Sequence, residues 1–141
     1  MKPFLTTTFA IALAGAASFA PALAQDFPSK PVTIVVGVPP GGSTDLVARA
    51  TAEKMSKLLG TQVVVDNRPG VNAVIATRQV ARAPADGYTL FYNAVNMATN
   101  LVAMKDPGYK WSEFESVGGV AYAPYVMFVN TSSTKAKTLK E

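Results

Sequence analysis

The chain has 141 residues, 13 lysines and arginines against 9 aspartates and glutamates, and a net charge of +4. It contains no cysteine and no histidine, which excludes a disulfide framework, thiol catalysis, the usual zinc sites and Ser-His nucleophiles. The basic residues are scattered, without runs or interleaved aromatics, so nucleic-acid binding has little support, and no metal or cofactor is expected.

Met1-Lys2, an apolar stretch from Phe9 to Ala20, and the small-x-small ending Pro21-Ala22-Leu23-Ala24 describe a secretory signal peptide. The apolar run is shorter than the ~20 residues of a membrane span; a short N-terminal anchor helix is the alternative. Cleavage between Ala24 and Gln25 removes 24 of 141 residues and leaves 117, enough for one modest core. It also takes the charge from +4 to +3 with the loss of Lys2. Such a mildly positive exported protein suits a small anionic ligand.

Lys30 to Val38 reads as a buried strand, rich in β-branched residues and stopped by Pro39-Pro40. A helix follows. At 100° per residue, Val47, Ala48, Thr51, Ala52, Met55, Leu58 and Leu59 share one arc, with Arg49, Glu53, Ser56 and Lys57 opposite. Arg49–Glu53 and Glu53–Lys57 are expected i,i+4 pairs, and Gly60 is placed to close the helix. Residues 62–66 read as a second strand, which makes a βαβ unit and implies a parallel sheet with a right-handed crossover. "NRPG" (67–70) is a turn. Asn72 to Arg82 reads as a helix with Val74, Ile75, Val80 and Ala81 toward the core, and 88–92 as a third strand with Tyr88 and Leu90 inward. "NAVNMATN" opens a short helix through Met104, and 106–114 is a loop. The apolar runs "SVGGVAY" and "YVMFVN" are expected to complete the sheet.

The turn "VPPGGSTD" carries the chemistry. Gly41 and Gly42 let the backbone approach a ligand, and Ser43 or Thr44 can cap the helix while offering a hydroxyl. The first helical N–H groups lack intrahelical partners and sit at the positive end of the macrodipole, a seat for a carboxylate or phosphate. A plain capped turn is the competing reading. A P-loop is excluded because no lysine follows Gly42, and Gly37-Val-Pro-Pro-Gly-Gly does not fit the dinucleotide fingerprint. Asp45 would repel an anion at those amides. It either caps backbone donors and points away, or meets a hydroxyl or amino donor on the ligand.

"FPSKPVTIVVGVPPGGSTDLVARATAEKMSKLLGTQVVVDNRPG", then "APADGYTL", then "YVMFVN", resemble the periplasmic solute receptors of tripartite tricarboxylate transporters, the Bug-type binding proteins. The resemblance runs from Phe27 to the last residue. It implies an α/β fold, a periplasmic-binding-protein-like parallel-sheet lobe that is the first of two, with the second mostly missing. On this reading 1–24 is the signal peptide, 25–129 the first lobe and 130–141 the truncated start of the crossover to the second. It also implies a non-enzymatic receptor in the periplasm, a monomer that holds a small carboxylate or related polar solute and delivers it to membrane permease subunits. Carried over by position, the ligand-binding residues are Pro40, Gly41, Gly42, Ser43, Thr44 and Asp45 in one loop and Asn93, Ala94, Val95 and Asn96 in another. Asn67 and Arg68 belong to a family motif in which Arg68 ties the turn together.

The chain departs from the family in two stretches. Val71, Asn72, Ala73 and Ala76 stand where the family has more glycine, which would narrow the pocket or change its preference. The two asparagines of "NAVN" replace a Gly-Thr/Ser-rich turn and add amide donors and acceptors. Two other functions compete with the receptor. One is an enzyme on the same fold using Asp45 or Asp66 with Ser43, for which no histidine or nearby lysine supplies activation. The other is a folded fragment without ligand affinity.

Overall fold

The structure is a computed structural model that describes residues 26–126, 128–130, 132 and 138. The expected signal peptide and most of the expected crossover lie outside them. The fold is α/β: a three-stranded parallel sheet in the order β2-β1-β3, built from β1 (Val32–Val36), β2 (Val63–Asn67) and β3 (Thr89–Tyr92). The helices are α1 (Ser43–Leu59), α2 (Val74–Ala81) and α3 (Asn96–Ala103), with a short 3-10 turn at Trp111–Glu113.

β1 is central and buried, as its run of β-branched residues requires when both faces are covered. Val32, Ile34 and Val36 pack with Ala48 and Ala52 of α1 and Val63 of β2; Leu90 and Tyr92 of β3 join the same cluster. Burying each such Val or Ile is worth roughly 1.5–3 kcal/mol. The next residue along β3, Phe91, joins a second cluster with Val74 of α2, Met97 of α3 and Tyr109. Alternation along the strand thus feeds two cores, one on each side. Gly37, at the end of β1, permits this double packing, because a Cβ there would lie 2.3 Å from the Cβ of Ala73.

Gly60 closes α1 in the left-handed conformation, φ 65, as expected. Two quoted motifs, far apart in sequence, dock on each other. The backbone N–H of Ser29 donates to the Tyr88 hydroxyl at 2.8 Å, the Lys30 ammonium pairs with Asp86, and the Phe27 ring tilts against that of Tyr88. The "FPSK" and "DGY" signatures therefore seal the amino edge of the sheet.

Four expectations fail. "SVGGVAY" and "YVMFVN" form no strand among the described residues: neither pairs with the edges β2 or β3, and Tyr122 and Phe128 are 91% and 87% exposed. A strand needs a partner for its N–H and C=O groups, and among the described residues these runs take up neither open edge. Leu58 is exposed because the sheet touches a narrower face of α1, centred on Ala48 and Ala52. Ile75 is exposed because α2 turns Val74, Ala76 and Thr77 inward. Arg49 pairs with Asp45, one turn earlier, rather than with Glu53, whereas the Glu53–Lys57 pair forms at 2.6 Å.

Candidate functional site

The sheet order creates a specific place. From β1 the chain moves outward to β2 and then crosses back to place β3 on the opposite side of β1. The helices that follow β1 and β2 therefore cover different faces, and the carboxyl ends of β1 and β3 form the switch point of the strand order, the position at which open parallel sheets bind ligands. Val36 and Tyr92 are register partners at those ends. The two loops carried over from the family, 40–45 and 93–96, start from this pair of neighbouring strand ends.

In the first loop α1 begins without a side-chain cap. Gly42 is the N-cap residue, with φ −79 and ψ 170, and supplies no side-chain cap to the first N–H groups. The expected capping by Ser43 or Thr44 does not occur, because both sit one position too late, inside the helix. Among the described residues their N–H groups and that of Gly42 have no hydrogen-bond partner, while the first helical bond runs from Leu46 N–H to the Gly42 carbonyl. Gly41 holds φ 92, a conformation that requires glycine, and donates its N–H to Asp45 Oδ2 at 2.9 Å. Gly41 therefore shapes the loop, and its amide is not open to a ligand.

Asp45 is 1% exposed, and its carboxylate is fully engaged. Besides Gly41, it accepts from Arg49 Nε at 2.9 Å and from Asn67 Nδ2 at 2.9 Å. Asn67 also donates to the Val38 carbonyl and accepts from Arg49 Nη2. These bonds, first the one from Arg49, hold the Asp45 carboxyl at about 2, below the usual 3.8. Of the two roles left open for Asp45, the structure shows the capping one. Its charge is matched by Arg49, so the conflict with an anion at the helix start is relieved. Sequence reasoning missed Asn67 as the partner that ties β2 to this loop. Arg68 does tie its own turn, donating from Nε to Asp66 Oδ2 at 2.8 Å, which leaves neither Asp45 nor Asp66 placed as a free acid or base.

In the second loop Asn93 donates from Nδ2 to the Ala94 carbonyl, and Ala94 and Val95 are exposed. Asn96 opens α3 and donates from Nδ2 to Asn72 Oδ1. Asn72 belongs to a turn in which Val71, Asn72 and Ala73 all take positive φ, at 48, 52 and 68. Family glycines at these positions would be the sequence signal for that geometry. An open groove of about 610 Å³ lies elsewhere, between Val71, Val74, Ile75 and Arg78 on one side and Met104, Lys105 and Asp106 on the other. It contains none of the carried-over residues.

The model of the tripartite tricarboxylate transporter family receptor matches residues 47–141, beginning inside α1. BugT of Bordetella pertussis is 38% identical over 129 residues, which cover 89% of this chain and 40% of BugT. A UPF0065 protein of Bordetella bronchiseptica is 40% identical over 114 residues, 79% of this chain and 34% of that protein. The chain thus spans well under half the length of these relatives. Among solved structures, the periplasmic binding protein BugD is similar with a TM-score of 0.58 and 44% identity, over 60% of this chain and 28% of BugD. A ligand-free TctC solute-binding protein from Polaromonas has a TM-score of 0.51 and 31% identity, over 56% of this chain and 28% of its own.

Proposed function

The chain belongs to the tripartite tricarboxylate transporter receptor family, and from that premise we propose that it contributes the carboxylate seat of a periplasmic solute-binding receptor. The carboxylate of a small polar solute sits on the open amides of Gly42, Ser43 and Thr44, between Pro40 and the charge-matched Asp45. Asn93, Ala94, Val95 and Asn96 line the neighbouring strand end. No residue is assigned a catalytic role: the receptor binds, then hands its solute to a membrane permease. Among the described residues no helix is long and apolar enough to cross a membrane, and the expected signal peptide would deliver the protein to the periplasm.

The observation that carries this reading is the uncapped start of α1 at the β1/β3 switch point. Open N–H groups and the helix dipole favour an anion there, and the Asp45–Arg49 pair removes the local repulsion. Gly42 tests it. Its extended backbone accepts any residue, and a Cβ would meet nothing within 4 Å, so Gly42→Val keeps the fold while crowding the amides. Calorimetry with citrate should show binding by the parent and at least about tenfold weaker binding by the variant. Equal affinity in the two would remove the amides from the site.

A further inference from the structure

The asparagines beside the proposed seat form a relay with a direction. Asn100 is 2% exposed, and its Nδ2 donates to the backbone carbonyl of Asn72 at 2.8 Å. A carbonyl only accepts. Asn100 therefore cannot turn its amide over without burying oxygen against oxygen. Its Oδ1 faces Asn72, whose Nδ2 donates to it at 2.8 Å. The Oδ1 of Asn72 is thereby committed to the other side, where it accepts from Asn96 Nδ2. Asn96 ends the relay with its own Oδ1, an acceptor with no protein partner among the described residues. Asn93 has the same polarity, since its Nδ2 is taken by the Ala94 carbonyl.

We infer that Asn96 presents its carbonyl oxygen to the solute, and that the receptor prefers a carboxylate bearing a hydroxyl or amino donor over the same carboxylate without one. Asn72 is the positioning residue that sets this polarity. The inference rests on the carboxylate seat proposed above and adds the class of solute. A second carboxylate set against the Asn96 oxygen would meet oxygen with oxygen, whereas a hydroxyl meets an acceptor already oriented. The backbone of Asn72 is at φ 52, where glycine fits at least as well as asparagine. Asn72→Gly therefore cuts the relay without demanding a new chain path.

Calorimetry of the intact receptor with two matched pairs, malate against succinate and citrate against tricarballylate, isolates a single hydroxyl. The hydroxylated member should bind about tenfold tighter, the effect of one oriented hydrogen bond. Asn96→Ala should bring the ratio within each pair toward one by weakening the hydroxylated member more than its partner. Asn72→Gly should lower the ratio too, because the Asn96 amide is then free to turn; it also serves as the readout if Asn96→Ala does not fold. Equal affinities within both pairs for the parent, or a ratio that survives both variants, would overturn the inference and leave the seat standing. Binding of none of the four acids, or binding that Gly42→Val leaves unchanged, would overturn the seat itself.

Discussion

Val71 begins a left-handed turn in which three successive non-glycine residues hold positive φ. Each such residue costs about 1–2 kcal/mol, and β-branched valine lies toward the upper end. Glycine would remove that cost but gives the unfolded chain about 0.5–1 kcal/mol more entropy to lose. Because Val71 is 60% exposed, its side chain contributes partial packing, which any truncation removes. The informative comparison is therefore Val71→Gly against Val71→Ala, which both lose the isopropyl group. The glycine variant should be more stable by about 0.5–1 kcal/mol, the reverse of the order seen in helices and strands. In a chain of this size that is a difference of roughly 2–6 °C in Tm. Urea unfolding followed by circular dichroism, with m-values checked for equality, measures it. An alanine variant as stable as the glycine variant would refute the strained turn. At position 73 the same exchange should yield less, because the Ala73 methyl is buried against Gly37.

Gly37→Ala should destabilise by about 1–3 kcal/mol in the same assay, since the new methyl meets the Ala73 backbone as well as its side chain; an unchanged midpoint would contradict that close approach. Arg49→Met should weaken citrate binding roughly three- to tenfold, because the Asp45 charge is then unmatched beside the amides; stronger binding would reverse the electrostatic argument. Asp45 also predicts a pH dependence. Its carboxyl is lowered in the folded state, so the stability it contributes is present above the unfolded value and lost as pH falls through the folded one. Unfolding free energy should decline from about pH 4 to about pH 2, and Asp45→Asn should flatten that slope. An identical slope in the variant, from urea titrations across the window, would show that another group controls it.

Local patterns were legible in the sequence. The β-branched run of β1, the apolar arc around Ala48 and Ala52, and Gly60 each state their structure within a few residues, and the short links between them imply the parallel sheet. Features that depend on distant partners were not legible. The arc of α1 includes Leu58, but only the position of the sheet decides that Ala48 and Ala52 touch it. The fate of Asp45 depends on Asn67, 22 residues later, and the polarity of Asn96 on Asn72 and Asn100. Residues 116–130 have strand-like composition, yet composition supplies no hydrogen-bonding neighbour. The two loops of the candidate site came from the family resemblance; that Gly41 gives its amide to Asp45 is visible only in the structure, where the amides of Gly42, Ser43 and Thr44 have no partner among the described residues.

In the proposed receptor a carboxylate sits on the open start of α1. Amide proton–nitrogen NMR of the intact receptor during citrate titration tests it residue by residue. The largest shifts are expected at the amides of Gly42, Ser43 and Thr44, with a second group at 93–96. Shifts confined to the groove between Val71–Arg78 and Met104–Asp106, with the Gly42–Thr44 amides unmoved, would contradict it.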